Sequence, residues 1–137
     1  MDTSNIITLL NEDLRLEYAA AIQYYQHASV INGLHTVYAQ ELRTHASEEL
    51  GHAQKISDFI NYLGGTPVAE VGQTLIAFDN QEMLGQDLDG ENVAIDRYKQ
   101  RIEQAVECGL YGLQSILLGI IEEEESHAND LKTILGQ

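Results

Sequence analysis

The sequence predicts an all-α fold, a four-helix bundle made of two antiparallel hairpins joined by a long crossover. Three observations carry that prediction. Chain-breaking residues cluster at a few places, around Asn32-Gly33, Gly64-Gly65-Thr66-Pro67, Gly72, Phe78-Asp79 and Cys108-Gly109. The stretches between them run to roughly 25 to 30 residues, the length of bundle helices. Each stretch repeats apolar residues at steps of three and four, the period of one helix face.

The first helix carries its stripe on Leu10, Leu14, position 17, Ala21, Tyr24, Ala28 and Ile31. The second uses Tyr38, Leu42, positions 45, 49 and 52, Ile56, Phe59 and Leu63, and Gly64-Gly65 before Pro67 reads as its stop signal. Asp79-Asn80-Gln81-Glu82 reads as a capping box opening the third helix, with Met83 and Leu84 just inside. Its stripe is Leu84, Leu88, position 91, Ile95, Tyr98, Ile102 and Ala105. The fourth helix follows with Leu110, Leu113, Leu117, Ile120, positions 124 and 127, Leu131 and Ile134. Every position given by number alone is a Glu or a His, and no basic residue lies on any stripe.

Connection lengths set the topology. Short links at Gly33 and at Cys108-Gly109 force antiparallel neighbours. A helix of about 28 residues is about 42 Å long. An extended link of about 14 residues, at ~3.3 Å each, covers that length. The segment from Gly64 to Asp79 is long enough to do so, which lets helices 2 and 3 run parallel.

The chain of 137 residues suffices for one domain, 1–137, with a core of its own. Its net charge of −15 repels nucleic acid and anionic lipid and attracts cations. Cys108 is the single cysteine, so no internal disulfide forms, and the start of the sequence has an acid in place of a basic n-region and no small-residue cleavage site, so a secretory signal is not expected. The longest apolar run, ending at Ile121, is far short of a membrane span. The expected location is cytoplasmic.

The two hairpins repeat one pattern. Each places a Glu on its first helix and Glu-x-x-His on its second: Glu17 with Glu49 and His52, then Glu91 with Glu124 and His127. Residue 33, the turn glycine, is the midpoint of 17 and 49, and the midpoint of 91 and 124 falls beside Cys108. Residues equidistant from an antiparallel turn lie at one height, so all four glutamates are expected at one level of the interior. Each His, three residues on, shares its Glu's face. Buried carboxylates without partners cost several kcal/mol each. Two divalent cations balance four carboxylates, and this oxygen and nitrogen ligation suits iron or manganese, with zinc permitted.

The same residues carry a resemblance that covers nearly the whole chain. Leu14-Arg15-Leu16-Glu17, Ile22 to Ala28, Glu48 to Ala53, Met83 to Leu88 and Glu122 to His127 resemble bacterioferritin, within the ferritin-like di-iron superfamily, whose ligand set is this pattern. The resemblance implies a ferroxidase centre holding two iron ions, with Fe²⁺ oxidised by O₂ or H₂O₂. It implies Glu49 and Glu124 as bridging carboxylates, Glu17 and Glu91 as terminal ligands, and one nitrogen each from His52 and His127. Tyr24 matches a catalytic-centre tyrosine, implied to hydrogen-bond a ligand or to donate an electron, and an ordinary core tyrosine is the alternative.

The departures are equally specific. Leu50 stands where bacterioferritins use a haem-binding methionine, so haem is not expected. The sequence stops at Gln137 without a fifth helix, which puts a large storage cage in doubt and leaves a dimer or small shell as the expected homo-oligomer. Thr44 replaces a His of an inner-surface iron site, while Glu48 keeps an acid nearby. A rubrerythrin-like peroxidase would need another Glu one turn after Glu91, where Val93, Ala94 and Ile95 stand. A manganese centre that consumes peroxide and a metal-free helical interaction module are the remaining readings.

Three positions stay open. His45, one turn before Glu49, reads as an accessory ligand, a group supporting the ligands, or a capped core histidine. His27 and His35 have no evident partners. Within Glu122 to Glu125, Glu124 fits both stripe and spacing, Glu123 is the fallback ligand, and the others read as solvated charges.

Overall fold

The computed structural model describes residues 1–137 and consists of α1 (Thr3–Val30), α2 (Ala39–Tyr62), α3 (Asn80–Glu107) and α4 (Tyr111–Leu135). The helix ends are built as the sequence anticipates. Asp2 and Asp79 cap α1 and α3 by accepting from the backbone N–H groups of Asn5 and Glu82. At the end of α2, Gly64 has φ 89° and its N–H donates to Asn61, while Gly65 N–H donates back to Ile60. That is a Schellman stop, which favours glycine because the left-handed residue carries no Cβ there.

One connection differs from expectation. Gly33, at φ 63°, does not close a tight turn by itself but begins a 3-10 segment, Gly33–Tyr38, that leads into α2. Leu34 and Val37 in that segment belong to no stripe and stay exposed, so neither is drawn into the core to shorten the link.

Cross-helix contacts give the directions. Asp13 meets Arg101, Glu17 meets Tyr98, Tyr24 meets Glu91 and His27 meets Asp87, so α1 and α3 are antiparallel. His45 meets Asp130, Glu48 meets His127 and His52 meets Glu123, so α2 and α4 are antiparallel too. With each hairpin antiparallel within itself, α2 runs parallel to α3. The crossover from Leu63 to Asp79 is pinned along α1. Asn11 holds both Thr66 and Val68, Gly72 N–H donates to the Arg15 carbonyl at 3.0 Å, and Gln23 accepts from Leu75 N–H. A Cβ at Gly72 would stand 3.3 Å from that same carbonyl oxygen, so the close approach favours glycine.

The core is layered. One apolar slab gathers Leu10, Leu14, Ile56, Ile60, Leu113 and Leu117. A second, toward the other end, gathers Ala28, Leu42, Leu84, Leu88 and Leu131. The polar stripe positions lie in the band between them. Two buried polar pairs flank that band, and the stripes did not anticipate them: Asp13 with Arg101, and His27 with Asp87. Although no basic residue lies on a stripe, Arg97 approaches the band, its guanidinium lying 3.0 Å from Asp13 and 4.0 Å from Glu17. Its long side chain reaches inward from a half-buried position beside the stripe, which helical period alone does not register.

Candidate metal centre

Glu17, Glu49, His52, Glu91, Glu124 and His127 are all buried, each at 3% exposure or less. The structure brings them into two groups, Glu17, Glu49, His52 and Glu124, and Glu49, Glu91, Glu124 and His127. Within each group the candidate ligand atoms lie within 4.8 Å of one another, and Glu49 and Glu124 belong to both. The imidazoles present Nδ1 to the carboxylates. His52 Nδ1 is 3.3 Å from Glu124 and 3.5 Å from Glu17, and His127 Nδ1 is 3.0 Å from Glu49 and 3.4 Å from Glu91.

Each of the six residues keeps at least one buried atom without a hydrogen-bond partner: Glu17 Oε2, Glu49 Oε1, His52 Nδ1, Glu91 Oε2, Glu124 Oε1 and both nitrogens of His127. An orphaned buried polar group costs about 1–3 kcal/mol, and folded proteins hold few of them. Such atoms on every residue of two groups that share two glutamates fit a donor set for cations.

Several of the other atoms of these side chains have neighbours that fix them. Tyr24 donates to Glu91 Oε1 at 2.6 Å, and Tyr98 donates to Glu17 Oε1, so each carboxylate has one oxygen fixed and the other free. The outward nitrogens of the histidines face acids across α2 and α4. His52 Nε2 lies 3.1 Å from Glu123, and His127 Nε2 lies 3.4 Å from Glu48. Such outer acids fix the ring orientation of a metal-binding imidazole. The approach of Glu48 and Glu123 to one another raises the first carboxyl and lowers the second. Glu123, the fallback ligand of the sequence reading, and Glu48, the acid expected near an inner-surface site, both stand behind the histidines. Tyr98 went unassigned in the sequence, although a signal for it exists there: it follows Glu91 by seven residues, as Tyr24 follows Glu17.

The electrostatics are those of an anionic cage. Burial, then the charges of Glu17, Glu124 and Glu91, push Glu49 well above the ordinary carboxylate range. Burial and Glu124 push Glu91 up to about 8. Burial also raises Glu17, but hydrogen bonds with His52, Glu49 and Tyr98 outweigh it and leave that carboxyl lowered. Burial would depress His52, yet Glu124 and Glu17 raise it to about 11, and Glu91 and Glu124 similarly raise His127 to about 9. With protein groups alone, the glutamates draw positive charge onto the imidazoles. Tyr24 and Tyr98, raised by burial and neighbouring carboxylates, stay protonated as donors.

Other candidates resolve differently. His45 is buried and stacked on His127 with ring centroids 4.1 Å apart, and burial holds it neutral with a pKa of about 4. His27 is a latch rather than a ligand. Its Nδ1 is 2.8 Å from Asp87, and its Nε2 donates to the Leu75 carbonyl on the crossover. A cavity of about 380 Å³ opens between α1, α3 and the crossover, reaching Glu17, Glu49, Glu91 and Glu124, with Asp89 and Arg97 at its lining. No helix is long and apolar enough to cross a membrane.

The chain is similar to known proteins over nearly its full length. Bacterioferritin of Rhodobacter capsulatus is 32% identical over 95% of this chain and 82% of its own. Bacterioferritin of Brucella melitensis is likewise 32% identical, over 95% and 82%. Among solved structures, a ferritin-like, diiron-carboxylate protein of Bacillus anthracis superposes with a TM-score of 0.94 at 33% identity, covering 98% of this chain and 99% of that one. The Rhodobacter capsulatus bacterioferritin structure, described with a metal-free dinuclear site and haem iron, superposes with a TM-score of 0.88 at 29% identity over 97% and 84%. Residues 7–137 match the ferritin-like domain, and the chain belongs to the ferritin-like family.

Proposed function

We propose that this protein is a ferroxidase-type oxidoreductase that takes up two Fe²⁺ and oxidises them with O₂ or H₂O₂, in iron detoxification or storage. The observation that carries the reading is the set of orphaned atoms, at least one on each residue of two groups that share Glu49 and Glu124. Two cations seated in those groups would have Glu49 and Glu124 in common, with Glu17 and His52 serving one and Glu91 and His127 the other. The family relationship supports the same assignment.

Each Fe²⁺ yields one electron, so a pair reduces H₂O₂ with two protons to two waters, or O₂ with two protons to H₂O₂. The protein's part is placement and charge. Tyr24 and Tyr98 each hold one oxygen of Glu91 and Glu17 and leave Oε2 of each without a partner. Glu48 and Glu123 orient the imidazoles from behind. The two apolar slabs keep the band dry above and below, while the cavity between α1 and α3 gives Fe²⁺ and the oxidant a path to the glutamates. Leu50 brings no sulfur for haem, and the exposed Ile22, Tyr25 and Leu50 offer apolar surface for a homo-oligomer such as a dimer or small shell.

Anaerobic titration of the metal-free protein with Fe²⁺, followed by air, tests the reading. The expected result is rapid oxidation of about two irons per chain, seated in the two groups. Absence of Fe²⁺ binding overturns it, and binding of manganese in preference to iron would reassign the centre to peroxide consumption.

A further inference from the structure

A second acidic and imidazole cluster lies on the α2–α4 face, outside the central band. Glu41 and His45 stand one turn apart on α2, and Asp130 faces them from α4, three residues beyond His127. One ligand atom from each lies within 4.8 Å of the other two. His45 Nε2 is 3.2 Å from Asp130 Oδ2, its only hydrogen-bond partner in the protein, and the histidine is 2% exposed. Its ring is fixed in place, stacked on His127 and edge-on to Tyr24 at 5.1 Å.

Two further features point to a cation. No lysine or arginine is ion-paired with either carboxylate; their one ion-pair contact is His45 with Asp130. The two carboxyl groups also approach one another, so that burial and the Asp130 charge push Glu41 above its ordinary range. Two acids drawn together beside a buried imidazole, with no lysine or arginine between them, make an arrangement that a metal ion would balance. Glu41 is half-buried and the Asp130 side chain is 39% exposed, so the cluster opens to solvent and leaves positions for water ligands.

We infer that Glu41, His45 and Asp130 form a third cation site, separate from the central pair, taking a first-row divalent ion through two carboxylate oxygens and one imidazole nitrogen. Mixed oxygen and nitrogen ligation of this kind suits Fe²⁺, Mn²⁺, Co²⁺ or Zn²⁺. With three protein ligands and an open side, it fills after the central positions. The inference rests on its own residues and stands whether or not the central pair oxidises iron.

Counting bound Co²⁺ tests it. Metal-free full-length protein is titrated with Co²⁺ under anaerobic conditions by calorimetry, with visible absorbance followed in parallel. About three equivalents are expected for the unaltered chain and about two for Asp130→Asn, with Glu41→Gln behaving likewise. Both positions are partly exposed and both changes are isosteric, and unchanged circular dichroism would verify the fold. Two equivalents in the unaltered protein, or three retained in both variants, would overturn the site. A count of one falling to none would instead keep this site and remove the central pair.

Discussion

The Tyr24 hydroxyl on α1 lies 2.6 Å from Glu91 Oε1 on α3, and Tyr98 on α3 returns the same bond to Glu17 on α1. Each tyrosine sits seven residues after one glutamate and holds the other, so the first helices of the two hairpins are tied reciprocally at the level of the centre. The other oxygen of each carboxylate is left buried without a partner, and the phenols, raised by burial, remain donors.

Removing either hydroxyl should therefore loosen one terminal carboxylate without disturbing the fold. Tyr24→Phe and Tyr98→Phe are each expected to weaken metal binding or slow Fe²⁺ oxidation by roughly 10-fold, the lower end of what lost outer hydrogen bonds cost. Calorimetric titration and stopped-flow oxidation measure the two quantities. Equal behaviour of both variants and the unaltered protein would argue against a positioning role.

The sharing of Glu49 and Glu124 makes the ligands unequal. Glu49→Ala should abolish tight binding of both ions and all rapid oxidation, whereas Glu17→Ala should spare the Glu91 and His127 group and keep about one ion per chain. Metal counting after gel filtration distinguishes these outcomes. If Glu49→Ala retained one tight ion, the shared geometry would be wrong.

Stability should respond to pH in a direction set by the raised groups. Glu91 is raised from an unfolded value near 4.3 to about 8, and His127 from near 6.5 to about 9. The folded metal-free protein thus holds protons that the unfolded chain releases, and its stability falls as pH rises across that window. A bound metal replaces those protons, so the increase in Tm on adding Mn²⁺ should be larger at pH 8 than at pH 6. Thermal scans at the two pH values check it, and a smaller increase at pH 8 would contradict the anionic-cage picture.

His27 bridges the core and the crossover. His27→Ala leaves the buried Asp87 with Gln23 alone and frees the Leu75 carbonyl. Loss of one partner from a buried pair costs about 3 kcal/mol. Urea denaturation of the metal-free protein should register that loss, and a change below about 1 kcal/mol would mean the latch contributes little.

Much of this protein is written in local spacing. The Glu-x-x-His pairs, the matching glutamates and the turn midpoints are properties of one helix or one hairpin, where the 3.6-residue period decides which side chains share a face. From them follow the hairpins and the expectation that the four glutamates share one level of the interior. What the tertiary structure alone decided lies between hairpins: Tyr98 with Glu17, Arg101 with Asp13, His27 with Asp87 and the crossover, and Glu48 and Glu123 behind the histidines. These contacts depend on how two independently periodic hairpins dock and on how far long polar side chains reach. Neither is encoded in the period of a single helix, so the candidate ligands were legible in the sequence while most of what orients them was not.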